Sequence, residues 1–109
     1  MERDNIEMDV ATLHQLLQGE EPPLVLDVRE ANELAICALE GAVHMPMHEV
    51  PARLSEIPTD RPVVAMCHSG MRSMQVTRFL RHMGYSNIHN LTGGIDAWAA
   101  QIEPEMARY

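Results

Sequence analysis

Two short apolar runs limit how this chain can fold. PPLVLDV reads as a buried strand over about 24 to 28, and RPVVAM as a second at about 62 to 66. Neither alternates polar with apolar residues, so each expects cover on both faces, the pattern of a strand inside a parallel sheet. Two shorter candidates flank them: GAVHMP, stopped by Pro46, and NIHNL.

Between the runs the spacing turns helical. DVATLHQLLQG places Val10, Leu13, Leu16 and Leu17 on one face, with Asp9 as N-cap and Gly19 as the stop. REANELAI predicts a short helix, and HEVPARLSEI a helix with Val50, Leu54 and Ile57 inward and Pro51 in its first turn. RSMQVTRFLRHMG is the strongest helix, with Val76, Leu80 and Met83 as its core stripe; Gln75, Arg78 and His82 face outward. GGIDAWAAQI closes the series, with Ile95, Trp98 and Ile102 aligned. Strands alternating with helices predict a three-layer α/β/α domain around a parallel sheet, with ligands bound beyond the carboxyl ends of the strands. The 109 residues suit one domain, 1–109, and no repeat or linker divides them.

The net charge of −8 disfavours nucleic acid and anionic membranes as partners. The opening MERDNIEMDV lacks the apolar core and basic flank of a signal peptide, and no run approaches the ~18 apolar residues of a membrane span. A cytoplasmic location is therefore expected, where thiols stay reduced. Nine Met serve as adaptable core filler in a chain with few aromatics. No two His have the spacing of helical metal ligands; His14, His82 and His89 read as surface, His44 and His48 as pocket rim or exposed, and neither metal nor organic cofactor is expected.

The chemistry gathers at VVAMCHSGMRS, residues 63–73. A strand ends at Cys67 and a helix begins a few residues later. Such a turn aims backbone N–H groups inward as an anion nest, and the helix adds the positive end of its dipole. Gly70 supplies the positive φ that a tight loop needs. A sulfur held there is expected to be ionised and open to donors, with Arg72 as a fixed positive charge beside it. A cysteine ending an apolar strand can be plain core, but inert packing requires neither Gly70 nor Arg72. Cys37 reads as apolar filler, with a resolving thiol as the alternative. Asp27, directly after LVL, is expected to cap loop amides or pair with an arginine, supporting the pocket. Arg29 is expected in a structural ion pair, with Glu33 as the suggested partner.

LDVRE, EGAVHMP, CHSGMRS and NLTGGIDAW, in this order and at these distances, resemble the landmark segments of single-domain rhodaneses, over about Ile6 to Pro104. The resemblance implies a five-stranded parallel sheet in the order 1-5-4-2-3, which sets the Asp27 and Cys67 strands side by side. It implies a sulfurtransferase without cofactor. Cys67 would take sulfane sulfur from a small anionic donor such as thiosulfate, and a thiol, cyanide or a protein partner would remove it. The loop of His68, Ser69, Gly70, Met71, Arg72 and Ser73 would cradle the sulfur. A persulfide carrier or sensor without turnover is one alternative. A phosphatase or arsenate reductase on the same fold is another, although the related phosphatase loops hold one more residue between Cys and Arg than the four found here. The family often has a basic residue directly after the cysteine; here His68 is only partly charged near neutrality, and modest thiosulfate:cyanide activity is expected.

Overall fold

The structure is a computed structural model that describes residues 5–109. Its elements in chain order are β1 (Glu7–Met8), α1 (Val10–Leu17), β2 (Leu24–Asp27), α2 (Ala31–Leu34), β3 (Val43–His44), β4 (Val63–Met66), α3 (Met71–His82), β5 (Ile88–Leu91) and α4 (Gly94–Gln101). Two 3-10 turns, Met47–Ala52 and Leu54–Glu56, lie between β3 and β4.

The sheet has five strands in the order β1-β5-β4-β2-β3, with parallel pairing throughout. β4 lies at the centre, and all four of its residues are buried, as its unbroken apolar run requires. Successive residues of β2 and β4 face opposite sides of the sheet, so each strand feeds two cores. Leu26, Val63, Ala65 and Cys67 pack with Val76, Leu80 and Val50 on one side. Val25, Val64 and Met66 pack with Val10, Leu13, Ile95 and Trp98 on the other.

The α/β layering, the parallel sheet and its strand order follow the expected pattern. Asp9 caps α1 by accepting from the Thr12 N–H at 2.8 Å. Several details differ. HEVPARLSEI forms the 3-10 turns instead of an α-helix. The helical segment starts at Met47, so Pro51 falls inside it; a proline there lacks the N–H that an i→i−4 bond needs, and short 3-10 turns tolerate the loss. Met83 lies past the end of α3 and is 50% exposed, while Thr77 fills the buried stripe beside Val76 and Leu80. Leu16 is likewise exposed. β1 pairs with β5 over two residues, too short to leave a pattern in the sequence. No helix among the described residues is long and apolar enough to cross a membrane.

Candidate active site

β4 delivers Cys67 to the carboxyl edge of the sheet, between β2 and β5. The loop that follows wraps its own sulfur. Gly70 N–H donates to Cys67 Sγ at 3.1 Å and Ser73 N–H at 3.4 Å, and the Ser73 hydroxyl lies 3.3 Å from Sγ. Gly70 has φ +105°, a conformation that side chains rarely adopt, and it turns the chain into α3. Ser73 sits in the first turn of α3, where backbone donors have no partner within the helix. The sulfur takes that place and meets the positive end of the helix dipole.

A second helix end fixes the back of the loop. At the start of α4, Ile95 N–H donates to the Cys67 carbonyl at 2.9 Å and Asp96 N–H to the His68 carbonyl at 3.0 Å. Both carbonyls are thereby held away from the sulfur, leaving the loop amides facing it. A Cβ on Gly94 would lie 2.4 Å from the His68 oxygen, so the approach depends on that glycine. In the sequence Gly93 and Gly94 only open the GGIDAWAAQI helix; the part Gly94 plays in holding the loop emerges from the packing.

Two effects oppose each other at Cys67. Burial pushes the thiol pKa up; hydrogen bonds from the Ser73 hydroxyl and from the N–H groups of Ser73, Gly70 and Ser69 outweigh it, and the net shift is downward. The residue itself is only 1% exposed. The sequence led us to expect a sulfur open to donors. The structure closes it in, because the same loop that supplies amides also surrounds the sulfur.

The charges at the mouth are paired. The Arg72 guanidinium donates to both carboxylate oxygens of Glu33, each at 2.8 Å. Arg72 is thus held by a carboxylate 39 residues away, instead of standing as an isolated cation. Its bonds bring Glu33 down to about 2 against the opposing effect of burial, with help from the Glu30 N–H and the Tyr109 hydroxyl. Arg29 does not take the Glu33 carboxylate. It grips Asp27 through Nε at 2.9 Å and Nη2 at 2.7 Å, and both residues are buried. Arg29 also donates to the carbonyl of Cys37 at 2.9 Å and to the Tyr109 hydroxyl at 3.1 Å. Asp27 in turn accepts from the Arg29 N–H at 3.1 Å, so it both caps the loop and pairs with an arginine.

Tyr109 donates to Glu33 at 2.7 Å and sets its ring against His68 with centroids 4.2 Å apart. Nothing in the local sequence signalled that contact. His68 Nδ1 is buried without a hydrogen-bond partner. Met71 points outward, 76% exposed, and its side chain adds nothing to the cradle. His44 bonds the Arg29 carbonyl at 2.7 Å, while His48 is exposed. Cys37 is half-buried against the α1–α4 core and forms no disulfide. No cluster of His, Cys, Asp and Glu among the described residues has the arrangement of a metal site.

A thiol in a ring of amides, at the carboxyl edge of a parallel sheet and the start of a helix, defines an α/β domain built around a cysteine that can hold negative charge. The chain belongs to the rhodanese-like domain family, whose sequence model matches residues 9–101. It is 44% identical to a sulfurtransferase of Allochromatium vinosum over 101 residues, covering 93% of this chain and 94% of that one. It is 33% identical to the putative sulfurtransferase YtwF of Bacillus subtilis, covering 91% and 95%. Among solved structures, a Staphylococcus saprophyticus protein, SSP1007, superposes with a TM-score of 0.81 at 28% identity, covering 88% of this chain and 95% of that one.

Proposed function

We propose that this protein is a sulfurtransferase that carries sulfane sulfur as a persulfide on Cys67. The observation that carries the proposal is the set of donors converging on Cys67 Sγ, which favours a charged sulfur there. In the first step the Cys67 thiolate attacks the outer sulfur of a donor such as thiosulfate. A new S–S bond forms, the donor's S–S bond breaks, and sulfite leaves with the bonding pair. In the second step a thiolate or cyanide attacks the outer sulfur of the persulfide and regenerates the Cys67 thiolate. This is covalent catalysis in two half-reactions.

The remaining loop residues have distinct parts. Ser69, Gly70 and Ser73 hold the inner sulfur. The first-turn amides of Met71 and Arg72 lack carbonyl partners within α3 and are suited to the outer, anionic sulfur. His68 Nδ1, buried and without a partner, can donate to an anionic donor when it carries the ring proton. Asp27 and Arg29 lock the end of β2 to the α2 segment and keep that wall of the site in place.

Burial of Cys67 and neutralisation of Arg72 by Glu33 favour a second reading beside turnover of small anions. In that reading a protein partner, acting as donor or acceptor, opens the mouth. Incubation with thiosulfate followed by intact-mass measurement tests the shared step: a gain of ~32 Da that is absent in Cys67→Ser is expected. A protein that stays unlabelled with thiosulfate and with a protein persulfide donor sinks the proposal. Release of thiocyanate on adding cyanide then separates an enzyme from a carrier.

A further inference from the structure

Asn90, on β5, is buried, and both ends of its amide are engaged. Its Nδ2 donates to the Gly70 carbonyl at 3.2 Å and to Glu7 Oε1 at 3.1 Å. A carbonyl and a carboxylate only accept, so the nitrogen must face them, and Oδ1 must face Ser73. Ser73 Oγ lies 2.5 Å from that Oδ1 and 3.3 Å from Cys67 Sγ. A serine hydroxyl has one proton. It cannot serve the amide oxygen and the sulfur at once.

We infer that Asn90 is a positioning residue for Cys67 that acts through Ser73, competing with the sulfur for that single hydroxyl proton. The inference deepens the reading of Cys67 as the sulfur-carrying nucleophile and rests on it. While the thiol is protonated, S–H donates to Ser73 Oγ and the Ser73 O–H donates to Asn90 Oδ1; every group is satisfied. When the thiol ionises, its proton goes to solvent. The Ser73 hydroxyl then either turns to the thiolate and leaves Asn90 Oδ1 as a buried acceptor without a donor, or stays and presents lone pairs to an anion. Both outcomes are unfavourable. Asn90 therefore holds back an ionisation that the loop amides promote. Once the persulfide forms, the negative charge resides on the outer sulfur and Ser73 returns to Asn90. The Asn90–Ser73 bond thus favours the loaded cysteine over the bare thiolate.

Ionisable groups stand around this chain on every side. Glu7 comes from β1, the Asp27–Arg29 pair from the end of β2, and the Glu33–Arg72 pair from α2 and α3. His68 lies in the loop, with Tyr109 against it and Asp96 of α4 bonded to its carbonyl. All of them remain in the variants that test the inference; Asn90→Leu does take one donor from Glu7, an effect present with serine or alanine at position 73 alike, so it cancels when the two backgrounds are compared.

The test is the pH profile of Cys67 alkylation by iodoacetamide, read site by site by mass spectrometry, in the native protein, Asn90→Leu, Ser73→Ala and the double variant. Asn90→Leu is expected to lower the midpoint and raise the rate on its acid side by about fivefold, and the effect should vanish when Ser73 is already alanine. An unmoved midpoint, or the same shift in both backgrounds, overturns the inference. If Asn90→Leu does not fold, the side-chain amide resonance of Asn90 in the native protein takes its place. It should move through the Cys67 midpoint and stay constant in Cys67→Ala; a resonance that ignores Cys67 ionisation overturns the inference equally. Neither readout uses a sulfur donor, so a protein that shows this coupling yet takes up no sulfur would refute the proposed function and leave the coupling standing.

Discussion

Glu33 shows how much a single side chain at this site depends on its partner. It was suggested as the partner of Arg29; instead its carboxylate is gripped by Arg72, and Arg29 takes Asp27. Its folded pKa, about 2, lies below its ordinary 4.5, with the Arg72 bonds as the main cause. A depressed carboxyl pKa gives stability that is present above the unfolded value and is lost as pH falls through the folded one. Native protein should therefore exceed Glu33→Gln in stability near neutrality. The gap should shrink as pH falls from about 4.5 towards about 2. Urea unfolding midpoints across that window measure it, and a gap that stays constant would mean the charge on Glu33 contributes nothing. The sequence set Arg72 beside Cys67 and suggested Glu33 for Arg29. It did not pair Arg72 with Glu33, because 39 residues separate them and only the meeting of α2 with α3 brings them to 2.8 Å.

The decisive arrangement at the level of elements is two helix starts meeting one loop. α3 turns its first-turn donors onto the sulfur, and α4 ties down the carbonyls behind it. Gly94 makes the second contact possible. With φ +62° and no room for a Cβ against the His68 and Cys67 carbonyls, Gly94→Ala must push backbone away from backbone. A loss of about 2 kcal/mol or more in unfolding free energy is expected. Because the loop amides then lose their fixed aim, the alkylation midpoint of Cys67 should also rise. An alanine variant with native stability and an unchanged midpoint would remove α4 from the account of the site. The helices that the sequence predicted well, α1, α3 and α4, have either regular apolar spacing or a clear cap. It failed at 47–56, where apolar spacing suggests a helix but Pro51 interrupts the hydrogen bonding, and at β1, whose two residues carry no periodicity; β3 was legible as GAVHMP because Pro46 marks its end.

Over the whole molecule, the strand order brings Cys67 at the end of β4 between β2, which carries Asp27, and β5, which carries Asn90. The site is thus assembled from segments as far apart as Glu7 and Tyr109. The chain carries a net charge of −8, and Arg72, in the first turn of α3 beside the sulfur loop, is already paired with Glu33. A dianionic donor approaches such a molecule against repulsion, which dissolved salt screens. Persulfide formation from thiosulfate should accordingly be slow at low ionic strength and speed up by roughly twofold or more as salt rises to several hundred millimolar. Stopped-time mass spectra at increasing potassium chloride measure the rate. A rate that falls with salt would mean that the local field at the mouth attracts anions despite the overall charge.

The sequence by itself determined the features that arise within short windows. Unbroken apolar runs required buried parallel strands, helical spacing required helices between them, and a cysteine followed by Gly70 and a helix start marked Cys67 as the candidate nucleophile, with amides around it. The tertiary structure alone decided which charge pairs with which, that Asn90 and Ser73 share a proton beside the sulfur, that α4 braces the loop, and that Cys67 is closed in. The physical reason is range. Backbone conformation and burial periodicity are set by neighbours along the chain, whereas a side chain's hydrogen-bond partner is whichever group the packed sheet and helices bring within about 3 Å, and that group is often dozens of residues away.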